Sequence, residues 1–189
     1  MDYDFPDDVP TIPFHEDVTA VYAGRGGGKT TKAKELLKEH QPKILVWLDP
    51  LNGPEPNLDD LEASILAGNR TTMFNASNRE MAMAAIMTCY RLSSKDRRIF
   101  LVCDEAGNYL KQYSEYMRQV FHIGRHKGLG ILLISQRPAS LNTAYRSQAA
   151  TTHLGPIGQT ELSIATEVFG ADLAKGQMDA PVGSFIKTL

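Results

Sequence analysis

The sequence predicts an α/β fold: a mostly parallel central sheet with helices on both faces. Three observations point there. Apolar runs without polar alternation, KILVWLD (43–49), RIFLVCD (98–104) and GILLIS (130–135), read as strands buried on both faces. Helical patterns fall between them, at 30–40, 59–68, 78–93 and about 113–123. A glycine-rich loop joins the first predicted strand to the first predicted helix. Strand–helix alternation of this kind stacks helices on a sheet through right-handed crossovers.

Each element has its own local signal. DVTAVYA (17–23) is the first strand. Ala33, Leu36 and Leu37 recur at helical spacing in the helix that follows. After the second strand, PLNGPEPN is a loop punctuated by Pro and Gly, and Gly68 stops the next helix. TTMFN (71–75) is a short strand. Met81, Ala84, Ala85, Met87 and Cys89 mark a helix over 78–93. THLGP (152–156) and SFIKT (184–188) are later strands, with a helix over 161–168 between them. The stretch 170–189 is expected to add the last strand and a helix.

Composition narrows the function classes. The chain has 189 residues, 22% of them charged and 42% hydrophobic, which suits one domain and excludes disorder as the main state. No apolar run approaches the roughly 20 residues of a spanning helix. The acidic start, MDYDFPDD, does not read as a secretory signal. Two cysteines, Cys89 and Cys103, make neither a disulfide framework nor a metal knuckle, which fits a reducing setting. A net charge of −2 excludes a globally basic nucleic-acid binder, so any such contact needs a local patch or patches summed over subunits.

AGRGGGKT (23–30) matches the phosphate-loop pattern G-x-x-x-x-G-K-[ST], with Ala23 in place of the first glycine. Gly24, Gly26, Gly27 and Gly28 let backbone N–H groups curl around phosphate oxygens, and the helix start adds partial positive charge. Lys29 can reach the β- and γ-phosphates of ATP, and Thr30, followed by Thr31, can hold Mg²⁺. Arg25 lies within the loop, where it either leans over the phosphates or faces solvent. The run 98–105 ends in Asp104 and Glu105. Ligands of open parallel sheets bind at the carboxyl ends of strands, so Asp104 would face Mg²⁺ through water and Glu105 would polarise an attacking water. Gln136 closes the strand over 130–135 and can sense a γ-phosphate; a plain turn glutamine before Pro138 is the alternative.

Other signals are weaker. His122 and His126 lack a third ligand and read against a metal site. Tyr109, Tyr113 and Tyr116 read as packing or subunit-contact residues. Lys95, Arg97 and Arg98 read as a solvated turn.

Taken together, AGRGGGKT, RIFLVCDE and RxxGxGILLISQRP resemble the FtsK/HerA group of P-loop ATPases, multimeric motors that move DNA and sometimes protein. The resemblance runs from about Asp17 to the C-terminus. In its compactness the chain is similar to the small genome-packaging ATPases of tailless, membrane-containing double-stranded DNA viruses. It implies a RecA-like ASCE P-loop fold, with one ATPase domain over 17–189 behind an extension over 1–16. It also implies a homo-oligomeric ring, a hexamer or pentamer, that hydrolyses ATP with Mg²⁺ and acts on double-stranded DNA. A viral portal or vertex membrane protein would dock it, in the host cytoplasm or at the virion vertex. The resemblance further implies an arginine finger given across a subunit interface. Arg125 is the first candidate, with Arg137 and Arg146 as alternates. An assembly or secretion ATPase of the same group, and a nucleotide kinase, are the competing readings.

Overall fold

A computed structural model describes residues 17–188. In chain order the elements are β1 (Val18–Tyr22), α1 (Lys29–His40), β2 (Ile44–Asp49), α2 (Leu58–Leu66), β3 (Thr71–Asn75), α3 (Arg79–Leu92) and β4 (Ile99–Cys103). Next come α4 (Glu115–Ile123), β5 (Leu129–Ser135), α5 (Thr143–Arg146), β6 (Ala149–Leu154), α6 (Leu162–Phe169), α7 (Ala171–Met178) and β7 (Ile186–Thr188). The strands form one sheet in the order β3-β2-β4-β5-β1-β6-β7. Every pairing is parallel except that of β6 with β7. The extension expected over 1–16 lies outside the described residues.

The apolar strands serve two cores at once. Val21, Leu45, Trp47, Phe100, Val102, Leu132 and Ile134 face one side, where Ala33, Leu36 and Leu37 of α1 cover them. Their neighbours along the same strands, among them Ala20, Val46, Leu101 and Leu133, face the other side. There Leu61 and Ile65 of α2, Ile86 of α3, Val120 of α4, Tyr145 of α5, Ala165 of α6 and Ala174 of α7 close over them. Burial on both faces is why the runs show no alternation. The two faces are unequal: α1 covers one, and the other described helices cover the second.

Helix starts follow capping chemistry. The side chains of Asn57, Asn78, Ser114 and Asn142 each accept a backbone N–H in the first turn of the helix that follows. The cap at Ser114 explains why α4 starts at Glu115 and leaves Tyr113 outside the helix. Helix α1 has no side-chain cap and begins on Gly28 at φ +89. Its first N–H groups are therefore not taken by a side chain, the condition an anion at that end requires.

Parallel pairing has one consequence for function. The carboxyl ends of β1, β2, β4 and β5 emerge on one edge of the sheet, carrying the glycine loop, Asp49, Asp104 and Gln136. β5 lies between β1 and β4, so Gln136 emerges between the loop and the acidic pair.

Candidate active site

A cleft of about 630 Å³ opens at this edge, lined by Arg25, Gly26, Gly28, Lys29, Thr30, Thr31, Leu51, Asp104, Glu105 and Gln136. Most of the residues singled out from sequence meet in it.

The loop is built by close backbone approach. Gly26 and Gly28 have φ of +75 and +89, where a Cβ is strained. A Cβ on Gly27 would lie 2.8 Å from the Cβ of Ala23 and 3.0 Å from the oxygen of Gly24. Ala23 itself is fully buried and is not among the positive-φ residues, so its departure from the pattern costs no strain. Gly24 N–H donates to the oxygen of Pro156 at 2.7 Å, tying the loop to the turn after β6. Lys29 Nζ donates to the oxygens of Ala23 and Gly24, both at 3.1 Å. Burial pulls the Lys29 pKa down, while the charges of Glu105 and Asp104 oppose that shift.

The acidic pair sits on a strained turn. Glu105 is in the left-handed region at φ 46, at a cost of about 1 kcal/mol for a residue with a Cβ. The turn is held by hydrogen bonds: Glu105 N–H to Asp104 Oδ1 at 2.9 Å, and Tyr109 OH to the oxygen of Asp104 at 3.0 Å. Burial raises the Asp104 pKa, and the Asp49 and Glu105 carboxylates add to the rise. The Glu105 N–H and the Trp47 indole pull it back. Gln136 Nε2 donates to Glu105 Oε1 at 3.0 Å, so the expected sensor and the expected base already touch. Their turns are also packed together, since a Cβ on Gly107 would lie 2.3 Å from Ser140 Oγ.

The residues fit a magnesium nucleotide by their own chemistry. Three neighbouring carboxylates, those of Asp49, Asp104 and Glu105, crowd negative charge beside one lysine, and a divalent cation would relieve it. Among the described residues, no group of three or more His, Cys, Asp or Glu is placed to hold a metal unaided.

The candidate arginines are placed apart. Arg125 precedes β5 at the far edge of the sheet and pairs with Asp17 at 3.7 Å. Arg137, next to Gln136, pairs with Glu161 at 3.0 Å. Arg146 in α5 donates to the oxygen of Pro138 at 3.1 Å. His126 Nε2 takes a contact from Arg125 Nε at 3.4 Å, and His122 Nδ1 lies 3.2 Å from Gln148 Oε1. Tyr109 is buried, whereas Tyr113 and Tyr116 are exposed.

Sequence reasoning missed several residues. Asp49 closes an apolar run just as Asp104 does, and that shared pattern was the available signal. Its Oδ1 accepts the N–H groups of Leu51 and Asn52, at 2.8 and 3.1 Å, which shapes the loop carrying Leu51 into the cleft wall. Gly183 and Phe185 reach Gly28 from the C-terminal stretch, a contact no local pattern announces.

Neither a known sequence family nor a curated protein sequence matches the chain. Solved structures do. The genome packaging NTPase B204 from Sulfolobus turreted icosahedral virus 2, in complex with AMPPCP, is similar with a TM-score of 0.73 and 20% identity, over 92% of each chain. This chain has the B204 fold. A second B204 structure, the DNA-packaging ATPase from Sulfolobus turreted icosahedral virus, is similar at TM-score 0.70 and 17% identity, again over 92% of each chain. VirB4 of Thermoanaerobacter pseudethanolicus is similar at TM-score 0.63 and 12% identity, over 89% of this chain and 86% of that one. The expected P-loop α/β fold is thus the observed one, shared with the B204 structures. No described helix is long and apolar enough to cross a membrane.

Proposed function

We propose that the chain is an ATP-hydrolysing motor that translocates or packages double-stranded DNA. The observation that carries this reading is the meeting of Lys29, Asp104, Glu105 and Gln136 in one cleft, from three adjacent strands. The similarity in fold to B204, a genome packaging NTPase, adds the DNA-directed part. In this reading residues 17–189 are a single ATPase domain and 1–16 an extension.

Gly24 to Thr31 cradle the triphosphate and Lys29 neutralises it. Thr30 and Asp104 would hold Mg²⁺, which supplies charge neutralisation at the phosphates. Glu105 takes the proton of the attacking water, and Gln136 orients that water. Arg125 of a neighbouring copy in a homo-oligomeric ring supplies the finger. Such a ring would work in the host cytoplasm or at a virion vertex, docked by a portal or membrane protein. The secretion or assembly reading remains the second one, because VirB4 and the conjugation coupling protein TcpA share the fold.

The test is phosphate release from MgATP, with and without linear double-stranded DNA at low salt, over a range of protein concentration. A rate that rises faster than linearly with protein, and rises again with DNA, is the expected result. A flat, DNA-independent rate counts against a DNA motor. Glu105→Gln is expected to keep MgATP binding and lose about 10²-fold in turnover. Unchanged turnover would remove Glu105 from its role.

A further inference from the structure

Arg137 has a partner that fixes where it waits. Its Nε lies 3.0 Å from Glu161 Oε1, and its own side chain is 61% exposed. Glu161 is 9% exposed, a carboxylate almost wholly withdrawn from water. Its other oxygen, Oε2, accepts the N–H of Gly158 at 3.1 Å, and Thr160 Oγ1 donates to Oε1 at 2.9 Å. Arg137 is the cation paired with this buried carboxylate. Gly158 belongs to the same turn as Pro156, whose oxygen holds the N–H of Gly24. Arg137, Glu161 and the start of the phosphate loop therefore form one bonded run. On its other side Arg137 follows Gln136, which touches Glu105.

From this geometry we propose that Arg137 acts in cis as the side chain that distinguishes a triphosphate from a diphosphate, and that Glu161 is its parking site. A γ-phosphate entering the cleft brings up to two negative charges close to a guanidinium held by one carboxylate. The guanidinium has donors to spare beyond the single Nε contact, and its planar fork suits phosphate oxygens. Its transfer from Glu161 to the phosphate breaks the Arg137–Glu161 pair. Glu161 then keeps only the Gly158 and Thr160 donors, and the turn that holds Gly24 is loosened on the side facing the nucleotide. In this way occupancy by ATP, and not by ADP, is read out at the start of α6. This rests on the nucleotide-binding reading above but differs from the trans finger, because it requires no second copy.

The experiment is equilibrium binding of a non-hydrolysable MgATP analogue and of MgADP, on dilute chain checked as monomeric. It uses the wild type, Arg137→Ala and Glu161→Gln. Truncating Arg137 leaves the Glu161 carboxylate with only the Gly158 and Thr160 donors, so a thermal melt checks that the variant is folded, and Glu161→Gln, which removes that charge, is the second variant. Arg137→Ala is expected to weaken the analogue about tenfold more than it weakens MgADP, the worth of a charge-assisted contact. Glu161→Gln keeps an acceptor for Gly158 but weakens the hold on Arg137, so the analogue should bind several-fold more tightly than in wild type. An unchanged analogue-to-ADP ratio in Arg137→Ala overturns the proposal. So does recovery of ATP turnover when Arg137→Ala chains are mixed with Lys29→Ala chains, since that places the arginine in trans. If the wild type binds neither nucleotide, the functional reading itself fails.

Discussion

At the scale of single residues, the phosphate loop shows which positions demand glycine and which do not. Ala23 replaces a pattern glycine, yet it is fully buried, outside the positive-φ set, and fills space beside Gly27 and Gly155. Ala23→Gly is expected to preserve nucleotide binding and to lower stability by about 1 kcal/mol, through backbone entropy and lost packing. Gly27→Ala is expected to do the reverse to function. Its Cβ would meet the Cβ of Ala23 at 2.8 Å and force the loop apart, so calorimetry should show nucleotide binding lost relative to the wild type. Equal binding in both variants would show that the loop is not the phosphate cradle. The contrast could not be read from the motif, because the pattern asks for glycine at position 23 and leaves position 27 open.

At the scale of elements, the strands were legible and the edges were not. β3 occupies 71–75 as read, although only Phe74 of it is buried; β2 and β5 fall within a residue of their apolar runs, because burial on both faces leaves an unmistakable signature. The four-residue α5 and the antiparallel sense of β7 carry no periodicity long enough to read. The approach of Asp49 to Asp104 depends on strand order, which sequence does not state. β6 carries a titratable group that sequence passed over. His153 on β6 is 7% exposed and faces a groove shared with Lys32, Glu39 and His40 of α1, Asp17 and Thr19 near β1, Thr151, and Lys187 of β7. Burial, then the charges of Lys32, Lys187 and His40, pulls its pKa down to about 4, from an ordinary value near 6.5. The unfolded chain therefore binds the proton that the folded chain refuses. Stability from this site is intact above pH 6.5 and drains away as pH falls from 6.5 toward 4. The melting temperature should fall across that window, and His153→Gln should flatten the fall. An identical slope in the variant would show that other groups set the acid response.

At the scale of the whole molecule, the sheet sorts the arginines by end. Parallel strands bring the loop, the acidic pair, Gln136 and Arg137 to the carboxyl edge, while Arg125 stands at the opposite edge beside Asp17. No rotation of one side chain carries a guanidinium across the height of a sheet. Arg125 can therefore serve a nucleotide only if another copy presents its cleft to that edge, whereas Arg137 adjoins its own. The two arginines then make opposite forecasts in one mixing experiment. Arg125→Ala should leave nucleotide affinity of the dilute chain unchanged and should lower turnover at ring-forming concentrations by about 10³-fold, the scale of an arginine finger. Mixing Arg125→Ala chains with Lys29→Ala chains should restore turnover, because intact sites on the first receive arginines from the second. The Arg137→Ala mixture should show no such gain over Arg137→Ala alone. Weakened nucleotide binding by the dilute Arg125→Ala chain would contradict this division, since from the far edge of its own sheet that side chain has no route to the cleft.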